Sequence, residues 1–347
     1  MLVTLLRALL IYTAANAAPL AVPHNQPLNV TWLLLNDWVP SKQQTISVSK
    51  RLLQDDGGQQ RLALLDAIAV MTGEHGYDFR VNQQGLGVFN KMNGPRIPYV
   101  VHQMWKSAAL ETHSQDAVEC AAILKSMSPD FLYILWTDWQ IMDLIKSRYP
   151  GHFNYFLKLN LNIKRADVAR YLILHRFGGL YVDLDVELRA PASQLLNPPT
   201  VTFMSYRSKE FELKSIEPFA GNALFACTPK SPIMRAVLHQ VMTHSNQAST
   251  DVIGVLRHTG PLALGLVVSR FIIRAKDFHE VLQIFNSSSV GNVADGPLLA
   301  AHRQKHKWGK LGTAEAHLID PKLRKVFGAV PLTNTKAAKG AIPPLRD

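Results

Sequence analysis

Residues 178–188, GGLYVDLDVEL, alternate Leu180, Val182, Leu184, Val186 and Leu188 against Tyr181, Asp183, Asp185 and Glu187. Successive side chains of a strand point to opposite faces, so the pattern predicts a strand with one apolar face and one face of carboxylates. Asp183 and Asp185 would then sit roughly 6–7 Å apart on one side. Their mutual repulsion, at an effective dielectric of about 20, is about 2–3 kcal/mol. A cation or a proton would offset that cost, and two hard oxygen ligands on one edge suit Mg²⁺ or Mn²⁺ better than zinc. From the strand alone, a metal-binding edge and an acidic strand facing solvent both fit.

The segments before it set the fold class. Residues 163–177 read as a helix that ends at Gly178-Gly179, where a left-handed C-terminal cap is expected. Asp167, Arg170 and Tyr171 lie at i, i+3 and i+4 and so share a face of that helix, while Arg165 points elsewhere. Two readings are open for this face: a salt bridge that holds the helix in place, or a polar clamp that binds hydroxyls and hands its ligand to Asp183 and Asp185. Further upstream, IPYVVHQMW (97–105) and FLYILWTD (131–138) read as strands, and 116–127 and 139–148 as helices, the last stopped by Pro150-Gly151. Strands alternating with helices predict an α/β fold, a mainly parallel sheet flanked by helices. Such sheets bind ligands at the carboxyl ends of their strands, which is where Asp183 and Asp185 fall.

Composition bounds the rest. The 347 residues are 47% hydrophobic and 18% charged, enough for one large domain or two ordinary ones. The formal net charge of +11 favours acidic partners. The densest basic run, Arg303 to Lys325, reads as a solvated face, and no aromatic and basic stripe accompanies it, which argues against nucleic acid. Cys120 and Cys227 are the two cysteines, either one disulfide or two buried thiols.

The first 17 residues, MLVTLLRALLIYTAANA, read as a cleaved secretory signal or a short signal anchor, with membrane association through the N-terminus in the second case. Asn29-Val30-Thr31 and Asn286-Ser287-Ser288 have the form of N-glycosylation acceptors. The apolar stretch 252–273 is interrupted by Arg257, His258, Pro261 and Arg270 and does not read as transmembrane. The expected organisation is a leader (1–17), a stalk and N-terminal helical region (18–90), a main domain (91–330) and a C-terminal tail (331–347).

Three blocks, IPYVVHQMWK (97–106), YILWTDWQ (133–140) and IKRADVARYLILHRFGGLYVDLDVEL (163–188), resemble the DXD sugar-binding region of glycosyltransferase family 32. The family pattern is Ile-His-Gln-x-Trp-Lys, then Arg-x-Asp-x-x-Arg-Tyr, then Gly-Gly-x-Tyr-x-Asp-x-Asp. The resemblance implies a GT-A-like nucleotide-sugar-binding fold and a retaining hexosyltransferase that uses Mn²⁺ or Mg²⁺. The donor it implies is GDP-mannose in first place, with a UDP-hexose as the alternative, and the acceptor a glycan or glycolipid in the Golgi lumen of the secretory pathway. It implies Asp185 as a direct metal ligand, with Asp183 on the metal or the ribose. Asp167 and Arg170 would hold sugar hydroxyls, and Gln103, Tyr171 and Gly179 would belong to the donor site. Trp105 would lie against the base, or simply fill the core.

Gly221-Asn222-Ala223 and Thr259-Gly260-Pro261 resemble later family blocks more loosely. The C-terminal part departs from the pattern, with Lys307-Trp308 in place of Ser-Trp after a histidine. His302 or His306 would supply a third metal ligand; as a pair four residues apart they also fit a plain surface. The departure keeps a second class of function open: a catalytically silent relative that binds glycan or a partner enzyme.

Overall fold

The computed structural model describes residues 44–46, 58–112, 114–197, 203–206, 220–243, 250–274, 282–285, 290–292 and 300–302. In chain order the first half comprises β1 (Gln44–Ile46), α1 (Gly58–Gly73), β2 (Tyr77–Val81), β3 (Gly87–Lys91), β4 (Val100–Met104), α2 (Gln115–Met127), β5 (Leu132–Trp136), α3 (Asp138–Arg148), α4 (Pro150–Lys158) and α5 (Asn162–Phe177). The second half comprises β6 (Gly179–Val182), β7 (Val186–Leu188), α6 (Ala192–Leu195), β8 (Phe203–Tyr206), β9 (Leu224–Cys227), α7 (Pro232–Thr243), α8 (Val252–His258), α9 (Pro261–Arg274), β10 (Leu282–Phe285), β11 (Val290–Asn292) and β12 (Ala300–His302).

The central sheet has the order β10-β8-β9-β6-β4-β5. Its neighbours pair in parallel except that β9 runs antiparallel to both β6 and β8. Both faces are covered. Val100, Tyr181, Phe203 and Phe225 point into one core with residues of α1, α5, α7 and α9, and Val101, Leu180, Val182, Met204 and Leu224 into a second with α2, α6 and β7. Strands buried on both faces read as continuous apolar runs, which explains segments such as FLYILW and ALFAC. The α/β, mainly parallel and helix-flanked architecture expected of a GT-A-like chain is the one found.

The acidic stretch itself departs from expectation. It is not one strand. β6 stops at Val182, Asp183-Leu184-Asp185 forms a turn closed by Val186 N–H donating to the Asp183 carbonyl (3.1 Å), and β7 belongs to a separate sheet of order β11-β12-β7. The reason lies in the burial of β6. Tyr181, expected on a polar face, is 2% exposed and packs against Phe225, so that face has no room for a carboxylate. The chain therefore leaves the sheet at Asp183, while Leu184 stays buried and anchors the turn.

Within region 18–90, α1 packs Leu62, Leu65 and Ile68 into the same core as β4 to β6, and β1, β2 and β3 form a small antiparallel sheet. The stretch Val252–Phe271 has the length and apolar character to cross a membrane, but it folds as α8 and α9, with Leu264, Val267 and Val268 in the core. Cys120 and Cys227 are buried free thiols. The leader, Asn29, Asn286, His306, Lys307-Trp308 and the C-terminal tail lie outside the described residues.

Candidate functional site

The turn out of α5 is shaped by close approach. Gly178 (φ 64°) caps the helix, and a Cβ on it would lie 2.6 Å from Pro229. Gly179 (φ 94°) has no room for a side chain either, because a Cβ would meet the Val100 carbonyl at 2.5 Å and His102 Nε2 at 3.0 Å. Both φ values favour glycine. Gly179, expected at the donor site, is thus glycine because β4 crosses it there. The two glycines let β6 start in register beside β4 immediately after the helix.

The helix face carrying Asp167, Arg170 and Tyr171 forms a buried network. Asp167 accepts from Asn222 Nδ2 (2.9 Å) and Thr259 Oγ1 (2.8 Å), and lies 3.6 Å from Arg170. Burial pushes its carboxyl up to about 6 against the opposing pull of the Arg170 charge. Arg170 donates to the Asn222 carbonyl (2.7 Å) and to Asp183 Oδ2 (3.2 Å), and its guanidinium lies over the Tyr181 ring. Burial opposes its charge, but Asp183, Tyr181 and Asp167 together hold the guanidinium protonated. Tyr171 is completely buried and gives its hydroxyl to the Thr259 carbonyl (2.8 Å). The salt bridge is present, and its guanidinium also reaches the Asp-x-Asp turn.

At that turn Asp183 is held on three sides. Its N–H donates to the Ala223 carbonyl (2.7 Å), Oδ1 accepts from Tyr181 (2.8 Å) and Oδ2 from Arg170. Asp183 and Asp185 are both partly exposed, and both push the Tyr206 phenol upward, after the larger effect of its own burial. Two carboxylates from one turn thus act on a common point at the carboxyl end of β8. Trp105, just past β4, is also partly exposed. Gln103 is buried, its amide shared between Tyr133 and the Asp183 carbonyl. Glu187 pairs with Arg189 (3.5 Å).

Four residues outside the predicted set complete the arrangement: His102, Tyr181, Asn222 and Thr259. The signals for Asn222 and Thr259 were the loose Gly-Asn-Ala and Thr-Gly-Pro blocks. Nothing in one sequence could have shown that 52 and 92 residues of chain close onto Arg170 and Asp167.

Residues 114–202 match a family model described as the glycosyltransferase sugar-binding region containing DXD motif. Over this segment the chain is similar to that family. Over 198 residues the chain is 29% identical to inositol phosphoceramide mannosyltransferase 1 of Schizosaccharomyces pombe, covering 57% of this chain and 58% of that protein. Over 176 residues it is 27% identical to mannosyl phosphorylinositol ceramide synthase SUR1 of Saccharomyces cerevisiae, covering 50% and 42%. The chain thus spans about half the length of the curated relatives it matches. Among solved structures it overlaps the PaToxG glycosyltransferase at 14% identity and a TM-score of 0.39, over 62% of this chain and 78% of that one.

The sugar-binding region holds α5, the Gly-Gly turn and both aspartates, whereas His102, Gln103, Trp105, Asn222 and Thr259 lie outside the matched residues. Its donor set fits a hard divalent cation in kind. Asp183 and Asp185 offer carboxylate oxygens at one partly exposed turn, and no group of three or more ligating side chains is found among the described residues. Two carboxylates, completed by substrate phosphate and water, are the usual provision for Mg²⁺-like ions.

Proposed function

We propose that this protein is a metal-dependent retaining hexosyltransferase that moves mannose from GDP-mannose to a glycan or glycolipid acceptor in the secretory pathway, within the Golgi lumen. The observation that carries the reading is the Asp183–Asp185 turn, docked on the Arg170–Asp167 pair inside the matched sugar-binding region. The mannosyl preference comes from the similar fungal mannosyltransferases. A UDP-hexose is the competing donor.

Each residue's role follows from its surroundings. Asp185 is the direct metal ligand, as the resemblance to the Asp-x-Asp family pattern implies, while Asp183 engages Arg170 and Tyr181 through its two carboxylate oxygens. Asp183 shares the metal or binds the ribose. Mn²⁺ or Mg²⁺, when bound, supplies Lewis-acid stabilisation of the leaving diphosphate. The Arg170 charge lies beside that turn and favours an anionic donor there. Asp167 holds Arg170 and, with it, orients the sugar hydroxyls. Trp105, at the carboxyl end of β4, offers a ring face for the base. His302 or His306 would supply a third metal ligand.

The test is calorimetry of the full chain with Mn²⁺ and a panel of nucleotide sugars, followed by turnover of the best binder. Asp185→Ala should abolish metal-dependent binding and turnover, and equal activity in the two proteins would remove the metal role. Lys307-Trp308, in place of the Ser-Trp of the family pattern, motivates the silent-relative reading, and donor binding without turnover or hydrolysis would favour it.

A further inference from the structure

The backbone ladder between β4 and β6 is very short, with only Val101 opposite Leu180 and His102 opposite Tyr181. Two consecutive side chains of β4 extend it past both ends. His102 Nε2 lies 2.9 Å from the Gly178 carbonyl, one residue before β6 begins. Gln103 Nε2 donates to the Asp183 carbonyl, one residue after β6 ends, at 3.4 Å.

Neither side chain can turn away without loss. A carbonyl only accepts, so His102 Nε2 carries the hydrogen, and Nδ1 accepts from Trp136 Nε1 on β5 (3.1 Å). The ring is thereby held in one neutral tautomer. Burial agrees with this, lowering its pKa to about 4 against the opposing bond to Gly178. Gln103 Oε1 accepts from the Tyr133 hydroxyl, also on β5 (2.9 Å), which turns its amino group toward Asp183. Lys125 covers the Tyr133 ring at 4.0 Å. The supports stand on β4 and β5, which pair in parallel over five residues.

We propose that His102 and Gln103 are positioning residues, a two-point clamp that fixes where the Asp183–Asp185 turn sits, with Tyr133 orienting the Gln103 amide. The turn lies between two sheets and has only a four-residue strand behind it. The clamp refers it instead to the β4–β5 pair. Gln103 then acts through the backbone of Asp183 rather than by touching the donor, and the functional consequence of the clamp rests on the glycosyltransferase reading above.

Hydrogen–deuterium exchange on the full chain, together with titration of Mn²⁺ in the presence of GDP, tests this. Gln103→Met keeps the bulk and removes both polar contacts, and Tyr133→Phe removes only the orienting hydroxyl. Loss of one buried hydrogen bond predicts exchange over residues 183–188 faster by about fivefold in Gln103→Met, and a smaller rise in Tyr133→Phe. Exchange over 163–177 should stay as in the wild type, and half-saturating Mn²⁺ should rise by a similar factor. A uniform loss of protection, or unchanged exchange at 183–188, overturns the clamp. If Gln103→Met does not fold, Tyr133→Phe decides by the same local criterion. Failure of the wild type to bind Mn²⁺ and GDP would overturn the glycosyltransferase reading, while the exchange measurement still decides the clamp.

Discussion

Asp167 and Asp183 both belong to Arg170, yet they occupy opposite environments. Asp167 is 3% exposed, with Asn222, Thr259 and Arg170 around its carboxylate. Asp183 has a side chain 27% exposed at a turn, beside Asp185. One guanidinium thus joins an inner carboxylate to an outer one. The inner acid determines where the cation stands; the outer pair faces the solvent through which a ligand must arrive. An alternating sequence pattern makes Asp183 and Glu187 look equivalent, whereas the structure ties Asp183 to Arg170 and Tyr181 and pairs Glu187 with Arg189.

The comparison can be broken most severely at the shared cation. Arg170→Met leaves Asp167 buried without its counter-charge and takes a partner from Asp183. Removing one member of a buried pair costs about 3–5 kcal/mol, so denaturant unfolding should show a loss of that size. A stability change under about 1 kcal/mol would mean that the pair does not fasten α5. Next in size is Gly179→Ala. Its Cβ would meet the Val100 carbonyl at 2.5 Å in a backbone of φ 94°, so a loss of about 1–3 kcal/mol and a lowered Tm are expected.

Titration of Asp167 sharpens the contrast further. Its pKa is pushed up from 3.8 to about 6, so the folded chain binds the proton more tightly than the unfolded one. The stability it contributes is complete below about pH 4 and is lost as pH rises through 6. The difference in unfolding free energy between wild type and Asp167→Asn should therefore fall between pH 4 and pH 7, and a flat difference would refute the burial effect. The smallest effect is expected at Glu187. Its ion pair with Arg189 is partly exposed, so Glu187→Gln should change stability by less than about 1 kcal/mol and leave metal-dependent turnover unchanged.

Much of this was legible beforehand, for identifiable reasons. The apolar run 131–136 reads as a strand and is β5, whereas 224–227, equally apolar and fully buried, runs antiparallel to both its neighbours, a direction that composition does not carry. The 163–177 helix carried its own stop at Gly178, and Asp167, Arg170 and Tyr171 meet because helix geometry makes them meet. The error at 178–188 arose where local pattern and tertiary burial conflict. A period of two is compatible with a strand, but it cannot reveal that the second face of β6 is also filled.

The sequence by itself determined the α/β class, the glycine turn and the residue types of the candidate site: two carboxylates and an Asp-Arg-Tyr helix face between residues 167 and 185. These are consequences of local geometry and residue chemistry, and they travel with the chain. Only the tertiary structure decided that the strand breaks at Asp183 and that Asn222 and Thr259 close the Asp167–Arg170 network. It also decided that His102 and Gln103 point at the two ends of β6. Those contacts join segments up to 92 residues apart, and which polar groups pair across such distances depends on how the sheet and helices pack.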